Sequence, residues 1–190
     1  MFTLPTALTW ARILLIPLFV GVFFLPESTL AIADKNLTAT VVFVVAAVTD
    51  WLDGYLARSL NQTSAFGAFL DPVADKLMVA AALIMLVELD RTSTVVAFII
   101  IGREITISAL REWMAKVGAS RSVAVSMIGK VKTTAQMTAI PMLLYNEPVA
   151  GLDIHNIGRG LIWIAAVLTI WSMVYYMRRA WPELRERKQV

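Results

Sequence analysis

The sequence predicts an all-α, polytopic membrane protein: six transmembrane helices preceded by a short amphipathic segment at the membrane interface. Three observations lead there. The 190 residues are 58% hydrophobic with a mean hydropathy of +0.71, whereas soluble domains are roughly 45–50% apolar. Apolar runs long enough to cross a bilayer, about 20 residues each, recur at 8–26, 37–57, 67–88, 93–114, 126–145 and 158–177. The lysines and arginines between those runs are placed asymmetrically, which sets orientation. The runs take up most of the chain, so residues 1–190 read as a single membrane domain.

The opening stretch "MFTLPTALTWARILLIPLFVGVFFLP" has neither a basic start nor a small-x-small cleavage site, so it reads as a retained first helix rather than a secretory signal. Pro5 and Thr6 suit a helix start, and the mixed polar and apolar residues of "FTLPTALTWAR" suit a segment lying on the membrane surface. The second and third runs are joined by the tight polar turn "NQTSAFG". The fourth and fifth carry Arg103, Arg111, Lys130 and Lys132 inside or at the ends of apolar sequence, and the sixth leads into the basic tail "RRAWPELRERKQV".

Six spans put both termini on one side. If that side is cytoplasmic, it holds Arg58, Lys116, Arg121, Arg178, Arg179, Arg185, Arg187 and Lys188. The opposite connections hold Lys35, Arg91 and Arg159 among the acids Glu27, Asp34, Glu88, Asp90, Glu147 and Asp153. The net charge of +3 thus reflects topology and attraction to anionic lipid. No basic and aromatic stripe of the nucleic-acid-binding kind is present. The chain has no cysteine, which excludes disulfide and thiolate chemistry.

Against this apolar background, "DWLDGYLARSLNQTSAFGAFLDPVAD" places four aspartates within one short stretch. Residues three and four apart share a helix face. Asp50, Asp53, Gly54 and Ala57 therefore form one stripe, and Gly67, Asp71 and Asp75 another, with the turn setting the stripes opposite each other. A charge within the membrane costs several kcal/mol, roughly 2.5–3.5 even on lenient scales, and clustered carboxylates disfavour one another's ionisation. A bound cation relieves both. Hard divalent cations favour oxygen ligands, and the only histidine, His155, lies toward the opposite side. Two Mg2+ or Mn2+ ions are therefore expected on Asp50, Asp53, Asp71 and Asp75. Gly54, Ala57 and Gly67 leave room for a ligand to approach the backbone, and Arg58 offers a fork suited to phosphate. Together these describe a diphosphate site. Buried cations likewise need anionic partners, so Arg103, Arg111, Lys130 and Lys132 point to a second, phosphorylated substrate. Pairing of Arg103 with Glu104, or of Asp75 with Lys76, is the structural alternative.

The pattern Asp50-x-x-Asp53-Gly54-x-x-Ala57-Arg58-x8-Gly67-x3-Asp71-x3-Asp75 resembles the signature of the CDP-alcohol phosphotransferases at all eight positions. "LPTALTWARILLIP", "GREITISALREWMAKVGASRSVAVS" and "SMIGKVKTTAQMTAI" extend the resemblance over most of the chain, toward the bacterial branch that makes phosphatidylglycerophosphate. The resemblance implies a six-helix homodimer in the bacterial cytoplasmic (inner) membrane, with its active site facing the cytoplasm. It implies transfer of a phosphatidyl group from CDP-diacylglycerol to sn-glycerol 3-phosphate, with release of CMP and two divalent cations on the diphosphate. Asp75, the last aspartate of the motif and one turn deeper than Asp71, is the expected base for the acceptor hydroxyl.

Two other readings meet the same residues. A family member with a different acceptor would share the aspartates, but not the resemblance of "REITISALREWM" and "GKVKTTAQ". A cation transporter would explain the acids, but not Arg58 and the small residues, and transporter sites tend to lie near mid-membrane.

Overall fold

The computed structural model describes the backbone of residues 4–59, 65–116 and 127–186, and within it the side chains of 7–50, 52, 67, 69–116, 127 and 129–178. Six helices follow in order: α1 (Leu4–Phe24), α2 (Ile32–Ser59), α3 (Ala65–Glu88), α4 (Thr94–Lys116), α5 (Met127–Tyr145) and α6 (Ile154–Glu186). No strand occurs among the described residues; the only β-type pairing there is an isolated bridge between Val149 and Leu152. Each apolar run read from the sequence lies on one helix. The amphipathic segment expected before the first span is not a separate element. The chain from Leu4 onward forms the first turns of α1 itself, and Thr9 and Arg12 on those turns are buried inside the bundle.

Among the described residues, three helices contain segments long and apolar enough to cross a membrane: Ala7–Phe24, Ile32–Asp50 and Ile154–Arg178. The other three, α3, α4 and α5, carry ionisable residues that include Asp71, Asp75, Arg103, Arg111 and Lys132. These helices supply much of the polar interior, which Arg12 on α1 and Asp50 on α2 complete. Outward faces remain apolar: Leu14, Leu18, Phe98, Ile105, Val167 and Trp171 are exposed around the bundle. This is how a chain presents itself to lipid rather than to water.

Local signals set the helix ends at the side away from the aspartates. Ser93 caps α4, its Oγ accepting from the backbone N–H of Val95 (3.2 Å). Asp153 caps α6, its Oδ1 accepting from the N–H of Asn156 (3.1 Å). That backbone donor holds the exposed Asp153 carboxyl below its ordinary pKa. After α3, Asp90 turns with a φ of 55°, a left-handed closure that short polar side chains tolerate. The N–H of Arg91 then returns to the carbonyl of Leu86 (2.8 Å).

The turn delivers Arg91 into the bundle. Its Nη1 donates to the carbonyls of Leu143 (3.1 Å) and Leu144 (2.7 Å) near the end of α5, and its Nη2 donates to Asn36 Oδ1 (2.7 Å) on α2. One buried side chain thus ties three elements. Nearby, α5 and α6 approach so closely at Gly158 that an added Cβ would stand 3.1 Å from Leu143 Cγ and from Met142 Cβ. The main core fills this half of the bundle with Phe19, Phe43, Leu83, Leu86, Ile100 and Ile140. A smaller cluster of Ile107, Met114 and Tyr176 packs α4 on α6.

Arg91→Ala should lower stability by roughly 2–4 kcal/mol, since it strands two buried carbonyls and a buried amide. A fall of several degrees in the melting temperature of detergent-purified protein is the expected readout. An unchanged melt would show that these three bonds do not hold the bundle.

Candidate active site

The carboxylates come from the end of α2 and the first half of α3. Thr49 Oγ1 donates back to the carbonyl of Val45 (2.5 Å), so α2 continues regularly into Asp50. On α3, Pro72 lies inside the helix rather than at its start, and Gly67, Asp71 and Asp75 fall at successive turns. Oxygens of Asp50, Asp71 and Asp75 all lie within 4.8 Å of one another. Asp53, Gly54, Ala57 and Arg58 fall on α2, but their side chains lie outside the described residues. Gly67 is half-buried one turn ahead of Asp71.

A residue the sequence reading passed over stands at the centre of this cluster. Arg12, on α1, is buried, and its Nη1 lies 3.1 Å from Asp50 Oδ1, 3.2 Å from Asp71 Oδ1 and 2.5 Å from Asp75 Oδ1. The partner of Asp75 is thus Arg12 rather than its sequence neighbour Lys76. A single cationic nitrogen gathers one oxygen from each of three aspartates. Among the described residues, three carboxylates share this one guanidinium, so negative charge stands in excess. The donor set is all oxygen and already arranged around positive charge, which fits a hard divalent cation. The available signal was Arg12 itself, a lone arginine in an otherwise apolar run.

A cavity of about 810 Å3 opens beside the carboxylates. Arg12, Asp50 and Asp75 line one side, and Arg103, Arg111 and Lys132 line the other. Lys130 is exposed and is not among the lining residues. At about 100° per residue, it sits about 200° around α5 from Lys132, so the two lysines cannot share a face.

Glu104 organises the cationic wall. Its Oε1 accepts from Arg103 Nη1 at 3.0 Å and also from Lys132 Nζ, linking α4 to α5. The anticipated Arg103–Glu104 pair is therefore present and does more than neutralise Arg103. Beneath it, the buried ring of Tyr176 on α6 lies 5.8 Å from the Arg103 guanidinium carbon and 5.7 Å from that of Arg111. One aromatic face system thus supports two like-charged groups, each contact being worth about 0.5–2 kcal/mol. Glu112 also lines the cavity but is paired with Lys116 (2.9 Å), so Arg103, Arg111 and Lys132 against Glu104 keep this side positive, the sign that suits a phosphate monoester.

Arg12→Gln should leave the carboxylates to be balanced by added cation alone. The gain in melting temperature when Mg2+ replaces EDTA is then expected to be several degrees larger for the variant than for the unaltered protein. An equal gain in both would show that Arg12 and the metal do not share these oxygens.

The sequence matches the CDP-alcohol phosphatidyltransferase family model over residues 2–171. It is 50% identical over 188 residues to the CDP-diacylglycerol–glycerol-3-phosphate 3-phosphatidyltransferases of Escherichia coli K12 and of Shigella flexneri serotype 5b. Each alignment covers 98% of this chain and 99% of the relative. The aspartate spacing, the carboxylate cluster it forms and the family match agree: this chain belongs to the CDP-alcohol phosphatidyltransferases.

Proposed function

We propose that this protein transfers the phosphatidyl group of CDP-diacylglycerol to sn-glycerol 3-phosphate, releasing phosphatidylglycerophosphate and CMP. The observation that carries the reading is one cavity with walls of opposite charge: the aspartates around Arg12, and the Arg103–Lys132–Arg111 group around Glu104. The first wall suits a cation-bound diphosphate and the second a phosphorylated acceptor. The similar enzymes of E. coli and S. flexneri carry the same reaction in their names.

In this reading all 190 residues form one domain, and all six helices cross the bacterial cytoplasmic membrane. Both termini and the site face the cytoplasm, and the enzyme is a homodimer. The excess of lysine and arginine on the side of the site supports that orientation; the dimer is supported by family resemblance. Asp50, Asp53, Asp71 and Asp75 would hold two divalent cations, Mg2+ or Mn2+. When bound, these ions neutralise the diphosphate and the charge that develops on departing CMP.

The chain's own groups supply the rest. Arg103, Arg111 and Lys132 bind the acceptor phosphate; Lys130, on another face of α5, is left outside this clamp. Gly54, Ala57 and Gly67 leave space for the CDP-lipid, and Arg58 takes its phosphate. Asp75 accepts the proton of the acceptor hydroxyl as that oxygen bonds to the phosphorus bearing the diacylglycerol. The bond from this phosphorus to the CMP oxygen breaks, and CMP leaves with its electron pair. Arg12 contacts Asp75 now, and its shift toward the diphosphate would free the carboxylate for this role. The apolar outer faces of the bundle keep the lipid tails in the bilayer beside the cavity.

Detergent-purified protein given CDP-diacylglycerol and sn-glycerol 3-phosphate should release CMP, whereas serine or inositol phosphate in place of the acceptor should not. Chelator should abolish turnover, and Mg2+ or Mn2+ should restore it. Asp75→Asn should lower kcat by about 10²–10⁴-fold with CDP-diacylglycerol binding largely kept. A near-normal kcat would assign the base elsewhere.

Clamp residues should separate the two substrates. Arg103→Ala or Lys132→Ala should raise the KM for sn-glycerol 3-phosphate by about 10–100-fold, with the KM for the CDP-lipid little changed. Tyr176→Leu should show a smaller shift in the same direction, and Tyr176→Phe, which keeps the ring, should not. Equal effects on both substrates would remove these residues from the acceptor site.

A further inference from the structure

Among the buried polar atoms of the cavity's lining residues, the donor Nε of Arg103 and the acceptor Oε1 of Gln136 have no hydrogen-bond partner among the described residues. Gln136 is 4% exposed. It stands one turn beyond Lys132 on α5, on the same face, and lines the cavity together with Lys132, Arg103 and Asp75. A buried acceptor without a donor is costly, so its persistence beside a substrate cavity points to a donor that arrives with the substrate.

Neighbouring side chains do not supply that donor. The hydroxyl of Ser108 donates to the carbonyl of Glu104 at 2.7 Å, and that of Thr133 donates to the carbonyl of Gly129 at 2.9 Å. Lys132 is engaged by Glu104. The unpartnered donor of Arg103 asks for an anionic oxygen, and the unpartnered acceptor of Gln136 asks for a hydroxyl. A small molecule bearing a phosphate and a neighbouring hydroxyl answers both at once.

We propose that Gln136 is a specificity-determining residue that accepts a hydrogen bond from the central hydroxyl of the acceptor. The inference rests on the reading of sn-glycerol 3-phosphate as acceptor. That molecule has two hydroxyls. The terminal one attacks phosphorus and gives its proton to Asp75, while the central one has no partner in the mechanism above. Gln136 Oε1 provides it, and so fixes which end of the acceptor faces Asp75.

The test compares sn-glycerol 3-phosphate with 3-hydroxypropyl phosphate, which keeps the phosphate and the attacking hydroxyl but lacks the central one. Unaltered enzyme should favour glycerol phosphate in kcat/KM by about 10–100-fold, because the analogue leaves Gln136 unpaired. Gln136→Met, similar in volume but without the acceptor oxygen, should cut that preference to a few-fold, with the KM for CDP-diacylglycerol held. Equal use of both acceptors by the unaltered enzyme would overturn the proposal whatever the variant's folding. So would a Gln136→Met enzyme that kept the full preference. If the unaltered enzyme released no CMP with sn-glycerol 3-phosphate, the acceptor assignment itself would fall, and this proposal with it.

Discussion

The contact on which the site depends is between the Arg12 guanidinium and the carboxylates of Asp50, Asp71 and Asp75. Bringing three carboxylates together in an apolar bundle is strongly unfavourable unless positive charge is shared among them. Arg12 supplies some of that charge from a third helix, so α1 is fixed to α2 and α3 at the same point where the chemistry is placed. Packing and function meet in one side chain. Because the balance is incomplete, the cluster remains attractive to a divalent ion while still tolerable without one. The opposite wall repeats the device with the sign reversed, Glu104 partly neutralising a group of cations.

Much of this was legible in the sequence because it is written in local spacing. The six apolar runs lie on the six helices. Asp71 and Asp75, four residues apart, do converge on Asp50, whereas the side chain of Asp53 lies outside the described residues. What escaped is what spacing cannot encode. Arg12 meets Asp71 and Asp75 across separations of 59 and 63 residues; no periodicity links them, and only the cost of a lone arginine in an apolar run marks it. Tyr176 reads as one more aromatic of a greasy helix until α6 packs on α4 and sets its ring beside two arginines. The expectation of a distinct surface segment before the first span failed for a related reason. Among the described residues of that stretch, Thr9 and Arg12 face into the bundle, so they mark a polar interior rather than a polar exterior.

Reading Lys130 and Lys132 together shows a different limit. Both belong to the stretch "GKVKTT", and composition alone gives them equal standing. Two residues on a helix diverge by about 200°, so only one can face a given cavity. The sequence does not say which until the neighbouring helices choose a face. The same rule explains why Gln136 accompanies Lys132: four residues bring α5 nearly full circle.

The fastening at the far end of the bundle has its own consequence. Arg91 ties the α3–α4 turn to α2 and α5, and Gly158 lets the side chains of Met142 and Leu143 on α5 pack against the α6 backbone. Both lie remote from the charged cavity, where contact between helices runs instead through ion pairs and an aromatic ring. The bundle is therefore stitched at one mouth and charge-coupled at the other. Ion pairs can exchange a protein partner for a substrate partner without a change in helix register, whereas side chains packed tightly on a neighbouring backbone cannot. On the proposed function, substrates would be admitted and released by regrouping side chains at the charged end, while the membrane-facing outline of the protein stays fixed.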